Sequence, residues 1–302
     1  MKTNIQPRVS IITINYNAVE ATLDLLDSLS EISYPAIEII VVDNASKVNP
    51  KDILLKKHPE INLILSDNNL GFAGGNNLAI EKAEGEYLLF VNNDAVLTKG
   101  CIEALIDTFN QKPDAGMVSP KFHFYNQPGI IEYAGYSDIN SFTGRNVTIG
   151  SGIKDSGQFD TIGETHFCHG GGMMIPKKIV DEVGPMPEEY FLYYEEFDWC
   201  EQIKKAGYKI YYQPKALIRH KVSVSIGNDS PLKTYYLTRN RILFMRRNKS
   251  WEKYFIFLIF LFCITIPKNC IVLLAQRKFK HLNVFLAAVL WNFGFKKEMK
   301  LN

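Results

Sequence analysis

A chain of 302 residues, 46% hydrophobic and 22% charged, has room for one large domain with an appendage and is too apolar for global disorder. Its 20 Gly and 13 Pro exclude collagen-like and low-complexity chains, and the lack of any internal repeat excludes a solenoid. The net charge of +2 hides a division: residues 1–232 carry 20 Lys and Arg against 30 Asp and Glu, net −10, whereas residues 233–302 carry 14 against 2, net +12. The five cysteines form no C-x-x-C pair. This argues against a zinc cluster or disulfide framework and for a reducing compartment. The opening MKTNIQPRVS lacks the apolar stretch of a signal peptide, so the catalytic part is expected in the cytoplasm.

In chain order, VSIITINY (9–16) is a β-branched run expected to form a strand buried on both faces. AVEATLDLLDSLSEI follows, with Leu23, Leu26 and Leu29 at helical spacing. IEIIVVD (37–43), INLILS (61–66) and EYLLFV (86–91) predict three further strands, with NNLAIEKAEG a helix ending on Gly85 as a C′ cap. This β-α-β alternation predicts an α/β fold with a mostly parallel, Rossmann-like sheet flanked by helices. Ligands of such sheets bind at the carboxyl ends of the strands.

Those ends are polar: Asn15-Tyr16-Asn17, Asp43-Asn44-Ala45-Ser46, NNLGFAGGNN from Asn68 to Asn77, and Asn92-Asn93-Asp94. Asn and Asp also form turns and helix caps, but four such segments at one sheet edge point to a binding site. Gly71, Gly74 and Gly75 do not fit G-x-G-x-x-G, and there is no G-x-x-x-x-G-K-[ST], which disfavours hydride transfer and a P-loop. Asp94 at the end of an apolar strand suits a divalent cation bridging phosphate, or the cap of a helix near Thr98. Farther on, Glu195, Glu196 and Asp198 open a short helix closed by Gly207. They read either as partners of the helix dipole or as a general base beside the aromatic run Phe191–Tyr194. His220 ends the strand-like ALIRH and alone reads as a packed histidine or a ligand.

The C-terminal part is both basic and apolar. Residues 233–253 are expected to form a basic amphipathic stretch, with Arg246, Arg247, Lys249 and Lys253 beside the uncharged run Tyr254–Ile266. Basic residues flanking a greasy block suit an anionic membrane surface and argue against a nucleic-acid partner. The uninterrupted run is 13 residues, short of the roughly 20 that cross a bilayer. In-plane or re-entrant insertion is therefore expected, with a single crossing or a buried core helix as the other readings.

Together, VSIITINYN, VVDNAS, NNLGFAGGNN, FVNND, HGGGMMI and YYEEFDWC occur in the order found in family 2 glycosyltransferases, and the chain resembles their rhamnosyltransferase-like branch over about residues 8–250. The resemblance implies a GT-A fold, a nucleoside-diphosphate sugar donor and transfer with inversion. It implies that Thr13, Asn15 and Tyr16 line the nucleotide pocket and that Asp43 bonds the base. Gly74 and Gly75 would let the backbone approach the donor, and Asn77 would help close the pocket. Asn92, Asn93 and Asp94 take the place of the family's D-x-D motif, with Asn92 replacing its first Asp; Asp94 would hold Mg²⁺ or Mn²⁺, with His220 completing the metal shell. His169, Gly170 and Gly171 resemble the acceptor-side loop. Glu196 stands at the base position, where the family usually has Asp, and Glu195 and Asp198 are the substitutes.

The expected organisation is a catalytic domain over residues 1–235 and a helical, membrane-associated appendage over 236–302. The expected acceptor is a glycan or lipid-linked oligosaccharide of cell-surface polysaccharide synthesis, met at the cytoplasmic membrane face. Two rival classes differ in one feature each. A nucleotidyltransferase would want a basic residue near the Gly-rich segment, and Asn68 to Ala79 has none. A non-catalytic membrane-bound scaffold leaves the four polar segments without a role.

Overall fold

The computed structural model describes residues 6–221 and 229–295. Among these, one sheet dominates. β1 (Val9–Asn15), β2 (Ile37–Asp43), β3 (Asn62–Leu65) and β4 (Tyr87–Val91) are parallel in the order β3-β2-β1-β4. The sequence places each of them to within one residue. Val9, Ile11, Ile12, Val41 and Val42 are fully buried, as their unbroken apolar runs require, and each burial stabilises by roughly 1.5–3 kcal/mol. α1 (Val19–Ser30) and α2 (Lys51–Lys57) lie between these strands in the chain.

α3 (Gly71–Ile80) differs from expectation. It begins inside the Gly-rich segment and ends before Gly85, so Gly74 and Gly75 are buried helix-interior residues. Packing explains why glycine is tolerated there despite its helix-breaking tendency. A Cβ at Gly75 would stand 2.9 Å from the Ile14 side chain and 3.3 Å from Asn44, and one at Gly74 would stand 2.7 Å from Leu70. The missing side chains let α3 lie close on β1 and β2. Gly85 serves the sheet instead, donating its N–H to Ser10 Oγ at 2.9 Å.

Beyond β4 come β5 (Ala95–Leu97), α4 (Cys101–Gln111), β6 (Ala115–Phe124), β7 (Ile131–Tyr133), β8 (Gly163–Glu164), β9 (Gly172–Pro176), α5 (Lys177–Val183), α6 (Glu195–Lys205) and β10 (Lys209–His220). The sheet continues β4-β9-β6-β10-β5, with β7 on β6 and β8 on β10. β9 runs antiparallel to β4 and β6, β10 parallel to β6, and β5 antiparallel to β10. The sheet is thus mixed in its second half. β1, β2, β4, β6 and β10 nevertheless share one direction, so Asn15, Asp43, Val91 and His220 end at the same edge.

Contacts gather into two compact units, one of Met1–Ser137, Thr148–Glu189 and Glu195–Ser225, the other of Asp138–Val147, Tyr190–Tyr194 and Ile226–Asn302. The second contains α7 (Pro231–Asn248), α8 (Trp251–Phe260), α9 (Ile266–Ala275) and α10 (Phe279–Trp291). Tyr235 and Tyr236 of α7 pack with Ala288 of α10. α7 departs from the basic amphipathic surface helix read from the sequence: Arg239 and Arg241 are buried, and the Arg239 guanidinium lies 4.6 Å from the Trp291 ring centre. The planar cation is held by aromatic faces. In the same unit, Phe191, Tyr193 and Tyr194 adopt left-handed φ values of 62°, 70° and 76°, which bulky residues rarely take.

α8 and α9 are joined by a π-helical turn, Leu261–Thr265, just before Pro267. Proline has no N–H to give and its ring crowds the preceding turn, and the wider turn lets the helix continue past it. Trp251–Ala275 is therefore one apolar helix of 25 residues, only 11% buried over its most apolar window. At 1.5 Å per residue this is roughly 37 Å, enough to cross a bilayer core of about 30 Å. The 13-residue uninterrupted run, Tyr254–Ile266, understated it because the helix continues through Pro267 and Lys268 to Ala275.

Candidate active site

The carboxyl edge of the sheet gathers side chains that are far apart in sequence. Ala95 of β5 pairs with His220 of β10, and the Lys221 N–H donates to the Asp94 carbonyl at 2.9 Å. This register sets His220 Nε2 3.0 Å from Asp94 Oδ1. On the far side of β6, Phe122 pairs with Tyr133 of β7, which brings Glu132 to the other ring nitrogen. His220 Nδ1 lies 3.0 Å from both Glu132 carboxylate oxygens. Burial disfavours charge on His220, but the bonds to Asp94 and Glu132 outweigh it and lift its pKa to about 10.

The loop preceding β9 meets this group. The Asn92 N–H donates to the Gly171 carbonyl at 3.1 Å, next to the pairing of Val91 with Gly172. His169 accepts the Gly171 N–H at Nδ1, 3.0 Å away, and its Nε2 stands 3.8 Å from Glu132 Oε1. Burial pushes His169 down to about 4, with His220 adding repulsion against the pull of Glu132. Glu132, His169 and His220 each offer a ligand atom within 4.8 Å of the others.

Glu196 closes this side. A Cβ on Gly170 would stand 3.5 Å from its carboxylate, so the acid lies against the backbone of the His169–Gly171 loop. Burial raises the Tyr136 hydroxyl well above its usual range, and the charges of Glu196 and Glu132 add to the effect. Of the three acids opening α6, Glu195 and Asp198 are buried at 3% and 1% exposure, whereas Glu196 is half-buried. Asp198 accepts a bond from Gln202 Nε2 at 2.7 Å. Glu196 is thus the most exposed of the three.

On the β1–β2 side the expected nucleotide residues form one network. Asn15 Nδ2 donates to Asp43 Oδ1 at 2.7 Å, Thr22 Oγ1 donates to Asn15 Oδ1 at 2.9 Å, and Asn93 Nδ2 donates to Thr22 Oγ1 at 3.0 Å. Ser46 Oγ donates to Asp43 Oδ1 at 2.6 Å. Thr13 is buried on β1, and its hydroxyl has no hydrogen-bond partner among the described residues. Tyr16 follows β1 half-buried, and Asn92 is half-buried beside Asn93.

Two of the expected binding elements make contacts within the protein. The Asn77 amide is used by the segment before α6: Nδ2 donates to Met186 O at 2.9 Å and Glu188 Oε1 at 2.8 Å, and Oδ1 accepts the Met186 N–H at 3.0 Å. Gly74 and Gly75 make room for Leu70, Ile14 and Asn44, as described above.

The match to the family described as "Glycosyl transferase family 2" covers residues 10–184. The chain belongs to that family. It is 28% identical over 207 residues to the low-salt glycan biosynthesis hexosyltransferase Agl10 of Haloferax volcanii, covering 67% of this chain and 63% of that protein. It thus spans a little under two thirds of that relative. It is 21% identical to the N-acetylglucosaminyl-diphospho-decaprenol L-rhamnosyltransferase of Mycobacterium tuberculosis, covering 72% of this chain and 78% of that one. A mannosyltransferase from Pyrobaculum calidifontis, solved with GDP-Man and Mn²⁺, superposes with a TM-score of 0.60 at 17% identity, over 97% of this chain and 89% of that one. The fold is GT-A, as the motifs imply, and belongs to the α/β class.

Glu132 and Thr22 were not legible in the sequence, whereas Ser46 fell within the polar segment after β2. Thr22 belongs to an ordinary helix pattern. The one available signal for Glu132 was a single acid between Ile131 and Tyr133, both fully buried, on a strand where alternation turns it to the opposite face.

Proposed function

We propose that this glycosyltransferase moves a sugar, rhamnose being the first candidate, from a nucleoside-diphosphate donor to a hydroxyl of a glycan or lipid-linked oligosaccharide, with inversion at the anomeric carbon. The observation that carries the reading is Asp94 paired with His220 at the sheet edge where Asn15 and Asp43 also end. Thr13, Asn15, Tyr16 and Asp43 are assigned to the nucleotide, with Asn92 and Asn93 beside the diphosphate. His169, Gly170 and Gly171 are assigned to the acceptor side.

Asp94 and His220 fit a divalent cation, Mg²⁺ or Mn²⁺. A carboxylate oxygen and an imidazole nitrogen brought together at 3.0 Å offer the oxygen and nitrogen donors that such an ion would take. When bound, such an ion supplies positive charge against the diphosphate leaving group. Glu196 takes the proton of the acceptor hydroxyl as its oxygen bonds to the anomeric carbon and the bond to the diphosphate breaks. One base facing the side opposite the leaving group yields inversion. General-base help of this kind is worth roughly 10²–10⁴ in rate.

The catalytic region is proposed as residues 1–235 and the membrane-associated region as 236–302, at the cytoplasmic membrane face. The mycobacterial relative, an N-acetylglucosaminyl-diphospho-decaprenol L-rhamnosyltransferase, supports a lipid-linked acceptor, and the exposed apolar helix Trp251–Ala275 supports membrane association. The test is nucleoside-diphosphate release by the full chain from a panel of nucleotide sugars with Mn²⁺ and a diphospho-polyprenol-linked saccharide. Acceptor-dependent release from one donor is expected. No release from any donor, with the chain folded, would overturn the reading.

A further inference from the structure

Glu132 has no role in the reaction above, yet two imidazoles face its carboxylate. Its side chain is 12% exposed, and those of His220 and Asp94 are 8% and 7% exposed. His220 Nδ1 is equidistant, at 3.0 Å, from its two oxygens. His169 approaches from the other side. Because His169 Nδ1 accepts the Gly171 N–H at 3.0 Å, that nitrogen carries no proton and Nε2–H is the one turned toward Glu132. Phe122 lies beside both rings, its centroid 4.4 Å from that of His169 and 6.1 Å from that of His220.

An imidazole that binds a cation through Nε2 must keep that lone pair free, so its proton has to reside on Nδ1 and needs an acceptor there. We propose that Glu132 is the positioning residue that fixes the His220 ring, accepting Nδ1–H so that Nε2 is presented to a cation shared with Asp94. The inference rests on the assignment of Asp94 and His220 to a cation. Strand register makes the arrangement rigid: β6 lies between β7, which carries Glu132, and β10, which carries His220. His169 Nε2 stands near the same carboxylate, 3.8 Å from Oε1, beyond hydrogen-bond reach. Replacing the carboxylate by an amide puts an NH₂ within reach of Nδ1. That favours the opposite tautomer, with the proton on Nε2 where the cation should bind.

The experiment is Mn²⁺ titration of the full chain, followed by calorimetry and by Mn²⁺ electron paramagnetic resonance, alone and with UDP, GDP or dTDP. Glu132→Gln should weaken Mn²⁺ binding by roughly 10–100-fold, leaving metal-free nucleotide binding unchanged. Glu132→Asp, which keeps a carboxylate, should recover part of the loss. Mn²⁺ affinity within twofold of wild type in Glu132→Gln would overturn the proposal and leave the Asp94–His220 assignment standing. Absence of Mn²⁺ binding by the wild-type chain in every condition would overturn that assignment and this one with it. Retained Mn²⁺ binding in Asp94→Asn, with loss in Glu132→Gln, would make Glu132 a direct ligand and overturn the positioning role. Should Glu132→Gln fail to fold, nitrogen-15 spectra of the Mg²⁺-loaded wild-type chain decide: His220 protonated on Nδ1 supports the proposal, and protonated on Nε2 overturns it.

Discussion

Asp94 and His220 are 126 positions apart in sequence, and their side chains meet at 3.0 Å because β5 and β10 pair antiparallel with Ala95 opposite His220. The pairing gives the Asn92–Asp94 segment a single carboxylate with a fixed nitrogen partner. Asp94→Asn should therefore abolish metal-dependent donor binding, since neither Asn92 nor Asn93 offers a charged oxygen. Calorimetry with a nucleotide sugar, with and without Mn²⁺, checks this. A variant whose affinity still rises on adding Mn²⁺ would refute the assignment.

The acids opening α6 should separate by burial. Glu196→Gln keeps the shape but cannot take a proton, so turnover should fall by at least about 10²-fold with donor affinity nearly unchanged. Asp198→Asn should instead act on stability, because Asp198 is 1% exposed and bonded to Gln202. Initial rates and urea unfolding of both variants distinguish the roles. An active Glu196→Gln beside an inactive, stable Asp198→Asn would move the base by two residues.

Much of this site was legible because buried parallel strands announce themselves. The β-branched runs of β1, β2 and β4 cannot be exposed without cost, and their polar ends mark the ligand edge. Antiparallel β9 escaped because Gly172–Pro176 is short and its partner in register, β4, is some eighty residues earlier in the chain. α3 was misjudged since glycine argues locally against helix, and only the close approach of Ile14 and Asn44 to Gly75 explains it. Glu132 depends on a register across β6 that no local pattern encodes. Val222 and Ser223, which follow His220 in the chain, lie outside the described residues.

Asn240 provides a test of the aromatic turn. Its buried amide donates to the carbonyls of Tyr190, Leu192 and Tyr193 at 2.9, 2.7 and 2.8 Å, bracketing residues held at left-handed φ. Backbone of this kind persists only where its surroundings over-determine it. Asn240→Ala should cost about 2–3 kcal/mol, the range expected for stranding buried carbonyls. Asn240→Asp, which replaces the donors by acceptors, should cost more. Urea unfolding measures both, and a loss below about 0.5 kcal/mol for Asn240→Ala would show that the turn holds itself.

Removal of residues 251–302 is a poor test of membrane attachment, because it deletes α10 along with the apolar helix. α10 packs Ala288 against Tyr235 and Tyr236, and the Asn292 side chain donates to the Arg239 carbonyl at 3.0 Å, so truncation would open the core around α7. Substitutions on the exposed face of α8 and the π-helical turn separate the two effects. Ile256, Ile259 and Phe262 are 39%, 51% and 49% exposed, and burying such a face in lipid is worth about 25 cal/mol per Å² of apolar area. A charged side chain at the centre of a membrane-inserted helix costs roughly 2.5–3.5 kcal/mol. Ile259→Asp with Phe262→Asp should therefore shift the chain from the membrane to the soluble fraction while leaving nucleotide binding intact. Flotation with vesicles of anionic and neutral lipid, paired with the fold seen by circular dichroism, checks it. If the double variant floats as the wild type does, the apolar helix is not what holds this glycosyltransferase to the bilayer.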